Sequence, residues 1–264
     1  MLSHLLTFVF FLLIGLEIRQ GLEKPKDALL PGMCALGGML LPAIIFISLN
    51  PGSPAWAVSM PTDVALALAA LSLLGRRIKP DVRFFLLTLA IADDFFSLLV
   101  IGIFFRSELS IDSFVYTLGA ALIGFLLPLR PQMIRVLSPI VTFIVIPLYI
   151  AINLLAQLDF TQATSEVSLS LIFSRVIGKV LGITITAWLL VKITSLTFPR
   201  NVRLYDIVGI GFLSGMGLTV SMVIAEITVT SNVELSQIRM GLFIAALISG
   251  LLGLLWLKRS PVAQ

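Results

Sequence analysis

Apolar runs of roughly 17–25 residues follow one another along almost the whole chain, and that repetition leaves few folds open. In hydrocarbon, each backbone N–H and C=O needs a partner inside the protein, so runs of this length read as helices. About nine spanning helices are expected, over residues 2–18, 28–49, 55–75, 82–105, 113–129, 136–156, 167–191, 205–227 and 236–257. The fold class is therefore an all-α polytopic membrane protein. Composition agrees: 58% of the residues are hydrophobic and 12% charged, whereas a soluble domain is about 25% charged. The loops, about 5–15 residues each, are too short to hide a soluble domain. Residues 1–264 are expected to form a single integral membrane domain. The single cysteine, Cys34, excludes an intrachain disulfide framework and a cysteine metal cluster.

The net charge of +4 could point to nucleic acid, but the basic residues have a different logic. Most of them fall in alternate loops: Arg19, Lys24, Lys26; Arg76, Arg77, Lys79, Arg83; Arg130, Arg135; Lys192, Arg200, Arg203; Lys258, Arg259. The opposite loops hold Arg106 beside Glu108, Asp112, Asp159, Glu166 and Glu234. The positive-inside rule then places the N-terminus outside and the C-terminus in the cytoplasm. A miscounted span would scramble this alternation. No nucleic-acid partner is expected. The run Leu2–Gly15 has the length of a signal peptide but lacks a basic leader and a good small-x-small cleavage site, so it reads as a span.

With an odd number of spans, the second to fourth run opposite to the seventh to ninth. Each trio also has an interrupted middle member. The third span begins Ser59-Met60-Pro61-Thr62-Asp63, where proline removes a backbone donor. The eighth carries Gly209, Gly211, Gly215 and Gly217, with Thr219 and Ser221 just after. Interrupted segments at matching places in two antiparallel halves point to a transporter site built from broken helices. The expected architecture is an inverted-repeat transporter, with units at about 28–105 and 167–257 and two broken helices crossing near the midplane.

The chemistry centres on Asp93 and Asp94, inside the apolar run Phe84–Phe105. Charge at membrane depth is costly, and two adjacent carboxylates there cannot both ionise cheaply. A cation or a proton would relieve the repulsion. On a helix the two acids point about 100° apart, so they can share a cavity but not a direction. Lys179, in the middle of the seventh span, is the obvious ion-pair partner for one of them. Arg175 lies one turn earlier on the same face, and the reading favours snorkelling to the outer surface. Thr62 and Asp63 read as the N-cap of a half-helix, with an ordinary cap at a span entrance as the bland reading. The Gly211-to-Gly215 spacing also fits simple close packing of helices. Glu17 beside Arg19 reads as a surface ion pair, Glu226 as interfacial, and His4 as an exposed terminal residue. Cys34, Pro147 and Asn153 read as packing or kink devices.

Several of these motifs together resemble the NhaA-type sodium/proton antiporters. The likeness runs through Phe11 to Glu17, Gly37-Gly38-Met39, Pro61-Thr62-Asp63-Val64-Ala65 and Leu89 to Asp94. It continues through Ile177-Gly178-Lys179, Leu181-Gly182-Ile183 and Gly215-Met216-Gly217-Leu218-Thr219-Val220-Ser221. It covers most of the chain in the family's order. The resemblance implies that Asp94 is the main sodium ligand and proton carrier. It implies that Asp93 is the partner ligand and pairs with Lys179 when sodium is absent. Thr62 and Asp63 would sit at the helix crossing, and Glu17 and Arg19 in a pH-responsive region. It also implies a bacterial inner membrane, membrane lipid as surround, a homodimer as an option, and no cofactor beyond the transported Na+ or Li+ and H+.

The chain departs from that pattern in places. It begins at what resembles the family's second helix. After Ile103-Phe104-Phe105 it passes directly to Ser113–Gly119, which resembles a much later segment, so about two helices are missing. An even loss preserves the charge alternation and leaves both trios intact. Gln20 and Gly21 replace charged positions, and Ile134-Arg135 stands where an acid and a histidine are expected. Altered or absent pH activation follows. The reading is a shortened sodium(lithium)/proton antiporter and not an enzyme. The alternative is a degenerate, non-transporting homologue with a structural or assembly role. An intramembrane aspartyl protease is disfavoured because adjacent acids cannot face each other as a dyad. A sodium-coupled organic-solute symporter would be separated by uptake assays.

Overall fold

The structure, a computed structural model, describes residues 2–21, 25–108, 110–128, 131–199 and 201–260. Of the basic loop residues, Lys24, Arg130 and Arg200 lie outside these, as do the side chains of Lys26 and Arg76. Among the described residues there are helices and no strands. We label them α1 (Leu2–Gly21), α2 (Pro25–Leu49), α3 (Val64–Ser72), α4 (Pro80–Phe104), α5 (Ile111–Leu126), α6 (Met133–Gln157), α7 (Glu166–Ile193), α8 (Leu204–Ser214), α9 (Thr219–Thr228) and α10 (Asn232–Lys258). A 3₁₀ turn, Pro54–Ser59, precedes α3.

Among the described residues, seven helical stretches are long and apolar enough to cross a bilayer, and the bent pair α8–α9 makes an eighth. The expected fifth span, 113–129, is instead the shorter apolar helix α5. Its end has a local cause: Leu127 precedes Pro128 and is extended (φ −59°, ψ 141°), because the proline ring disfavours helical geometry in the residue before it. Both expected breaks are present. The third span unwinds between Ser59 and Val64, and α8 and α9 meet at 48° across Gly215–Leu218. Helices α5, α6 and α7 each contain one wider, π-helical turn, at Val115–Gly119, Val141–Val145 and Ser174–Gly178.

Packing in a membrane relies on close approach of backbones, since lipid offers no hydrophobic drive between helices. Helices α2 and α7 meet where Gly37 and Gly182 lie against each other's backbone; a Cβ on either would enter its neighbour. Helices α1 and α5 also approach closely, with Gly15 against the backbone of Ala121 and Phe125 and Gly124 against that of Leu12 and Leu16. Large apolar side chains such as Leu40, Ile44, Leu181, Trp188, Leu251 and Leu255 point outward, as lipid-facing surface requires. The chain is thus a multi-pass membrane protein. Along α4, one apolar core holds Phe85, Leu86 and Leu89 and the other holds Ile101 and Phe105. Asp93, Asp94 and Ser97 are buried between them.

Candidate functional site

Five charged side chains and one threonine come together where the two breaks meet: Asp63, Asp93, Asp94, Arg175, Lys179 and Thr62. All six are buried. The sequence reading brought five of them together; Arg175 is the surprise.

Lys179 is carried on α7 just after the π-helical turn. Its Nζ donates to Asp93 Oδ2 at 3.0 Å and to Thr62 Oγ1 at 2.9 Å. The Asp93–Lys179 ion pair is thus made, with about 1% of either side chain exposed. Each ion would cost several kcal/mol to bury alone, so the pair stands only because each partner answers the other. Thr62 in turn donates to the Ser214 carbonyl, at the end of α8, at 3.0 Å. One hydroxyl therefore links the lysine to the second break.

Asp63 occupies the position before α3 but makes no side-chain bond to that helix. Its Oδ2 accepts from the backbone N–H of Leu218 at 2.7 Å and of Thr219 at 2.8 Å. Its Oδ1 accepts from the Thr219 hydroxyl. The expected cap exists, but it caps α9 from across the crossing and not α3. A carboxylate there also meets the positive end of the α9 dipole.

Arg175 overturns the expectation of snorkelling. It is fully buried, and its guanidinium donates to the carbonyls of Val58 (2.8 Å), Pro61 (2.7 Å) and Gly215 (3.3 Å) and to Ser221 Oγ (2.8 Å). Glu226, read as interfacial, is exposed. The glycine cluster serves both readings. Gly211 packs on the Val180 backbone, while Gly217 lies in the break against Pro61 O and the Arg175 guanidinium.

Asp94 faces a different environment. It lines a cavity of about 370 Å³ with Glu17, Gln20, Ala65, Ser72, Ile91 and Ser138 among its walls. Gln20 and Ser72 are exposed, so the cavity runs from the α1 and α3 ends inward to the acid. Glu17 is half-buried on this wall and is not a surface residue. Arg19 does not pair with it; its guanidinium donates to the carbonyls of Phe125, Leu126 and Leu127, closing the C-terminal end of α5. Three buried oxygens on neighbouring turns of α4 have no hydrogen-bond partner among the described residues: Asp93 Oδ1, Asp94 Oδ1 and Ser97 Oγ. Ser97 escaped the sequence reading, although its spacing of three from Asp94 and four from Asp93 puts it on their face. Asp206 was missed as well. It accepts from the Arg203 backbone, lies 3.8 Å from Lys79 and ties down Ser260, a structural knot at the α8 entrance. His4 is exposed and stacks on Tyr116, and Asn153 bonds within α6 to Tyr149 O.

A helical membrane protein whose two interrupted helices meet around a buried Asp–Lys pair, beside a second aspartate on an open cavity, has the construction of an ion transporter. The chain matches the family model described as Na+/H+ antiporter 1 over residues 1–134 and 117–257, and it belongs to that family. It is 30% identical over 325 residues to the Na(+)/H(+) antiporter NhaA of Citrobacter koseri, covering 99% of this chain and 84% of that one. The Na(+)/H(+) antiporter NhaA 2 of Aliarcobacter butzleri is 29% identical over 329 residues, with 99% and 83% covered. The NhaA antiporter of Salmonella arizonae is 30% identical over 320 residues, with 97% and 82% covered. Membership supports sodium/proton antiport and makes the protein a transporter, not an enzyme. The aligned lengths exceed the 264 residues of the chain, so the relatives contain segments without a counterpart here. The two pieces of the family match overlap over residues 117–134, further along the chain than the 105–113 junction where about two helices were expected to be missing.

Proposed function

We propose that the protein exchanges cytoplasmic sodium, or lithium, for external protons through competition at Asp94 and Asp93. The observation that carries this is the contrast within one adjacent pair. Asp93 is held by Lys179, while Asp94 lines the cavity with one oxygen unpartnered. A sodium ion takes oxygen ligands, and Asp94, Asp93 and nearby hydroxyls supply that chemistry. A proton neutralises the same carboxylate, so the two cargoes exclude each other by charge. Sodium drawing Asp93 into its shell weakens the hold of Lys179, which couples the ion to the helix crossing. Thr62 and Asp63 keep the two breaks in register during that exchange.

In this reading the cavity opens to the cytoplasm, because it ends beside the basic loops, and the N-terminus lies outside the bacterial inner membrane. The inverted units 28–105 and 167–257 carry the moving site, with Glu17 on the cavity wall close enough to modulate it. The test is sodium-induced collapse of a pH gradient in everted vesicles from an antiporter-deficient strain, followed with an acridine dye across pH. Collapse by the wild type and none by inserted Asp94→Asn is the expected result. An inserted wild-type protein that gives no response at any pH would return the degenerate-homologue alternative.

A further inference from the structure

We propose that Arg175 is a positioning residue that clamps the two helix breaks together and thereby leaves Lys179 free to serve Asp93. This deepens the antiport reading and rests on it. Where a helix ends or unwinds, backbone carbonyls lose their partners and present the negative end of the helix dipole. At membrane depth no water repairs that loss. Val58 O closes the 3₁₀ turn, Pro61 O lies in the first break and Gly215 O follows α8. Arg175 donates to all three and to Ser221 Oγ, so one side chain binds both breaks. The planar fork of guanidinium donors spans acceptors that the point donor of a lysine cannot reach together. Room for it is built in. A Cβ at Gly217 would strike Arg175 Nη2, and the backbone of α7 is widened at Ser174–Gly178 around the arginine itself.

The consequence falls on Lys179, the next cation along the same helix. With the carbonyls served, its Nζ donates to Thr62 and Asp93. Without Arg175, Lys179 becomes the nearest donor for those carbonyls and is drawn away from Asp93. The adjacent Asp93 and Asp94 then lack a cation, with the Glu17 carboxyl of α1 on the wall of the same cavity as Asp94. Such a pair holds protons more tightly against sodium.

Arg175→Leu, Arg175→Lys and Gly217→Ala, which pushes the guanidinium off Pro61 O, test this in the vesicle assay. Arg175→Leu should move the pH profile about one unit alkaline and raise the sodium KM near neutral pH about tenfold. Arg175→Lys and Gly217→Ala should move in the same direction by less. A uniform loss of rate with an unmoved profile and KM would reduce Arg175 to packing and overturn the proposal, as would no change. If Arg175→Leu does not insert, the other two variants decide. Hydrogen–deuterium exchange reads the clamp without transport. Arg175→Lys should expose amides of residues 58–63 and 214–219 while those of 204–212 stay protected. Unchanged protection of the breaks overturns the clamp whatever the transport result. A wild type that exchanges no sodium sinks the antiport reading instead, and the two failures are separate.

Discussion

Two buried polar regions adjoin in this protein, and they are finished to different degrees. At the crossing, Arg175 has four acceptors and Asp63 has three donors, all buried. On the neighbouring face of α4, Asp93 Oδ1, Asp94 Oδ1 and Ser97 Oγ have none, and Asp94 meets a cavity. The satisfied region behaves as scaffold, because each group lost there leaves a partner unpaired in low dielectric. The unsatisfied region is where an added cation or proton gains most. Thr62 and Lys179 join the two.

That contrast can be broken in graded steps. The largest effect belongs to Asp94→Asn, which in the proposed exchange removes the charge that cargo neutralises. Exchange should vanish while expression and melting stay near wild type, and sodium-driven proton movement in that mutant would erase the distinction. Lys179→Ala strikes the junction. It leaves Asp93 buried without its cation, at a cost of about 3 kcal/mol, so the melting temperature in detergent should fall clearly and the pH profile should change. Unaltered melting together with an unaltered profile would show that the pair holds nothing. Thr62→Val removes only the hydroxyl between Lys179 and Ser214 O. The loss should be about 1 kcal/mol, seen as a slightly lower melting point with exchange retained; complete inactivation would make Thr62 a ligand and not a link.

The smallest effect is expected far outside, at Asp159. The Thr161 hydroxyl and backbone N–H beside it hold its carboxyl below the usual carboxylate range. A depressed folded-state value contributes stability above the unfolded value and loses it as pH falls through the folded one. Asp159→Asn should therefore give a marginal melting change at neutral pH that disappears in acid, with the transport profile unmoved. A shifted transport profile would extend the site's electrostatics to the loop that carries Asp159.

Much of this was legible in the residues themselves. Span-length apolar runs located the helices because hydrocarbon demands local hydrogen bonding, and Pro61 and the Gly215–Gly217 pair marked the breaks because their backbone effects are local. The cost of intramembrane charge picked out Asp93, Asp94 and Lys179. Where sequence reasoning failed, the partner was a remote backbone atom. Arg175 was read as snorkelling, yet it meets the carbonyls of Val58, Pro61 and Gly215. Arg19 was read beside Glu17, yet it closes α5. Asp63 was read as the cap of its own helix, yet it caps α9.

The sequence by itself determined that this is a helical membrane protein, where its helices break, and which acids and which lysine lie within its apolar helices. All of these follow from hydrophobic length, ring geometry and the cost of charge, which act within a few residues. The tertiary structure alone decided who answers whom: the arginine clamp, the crossed aspartate cap, the half-buried Glu17 and the cavity at Asp94. A backbone carbonyl is the same group at every position. Which of them a guanidinium reaches is therefore set by how distant helices pack and not by any residue type.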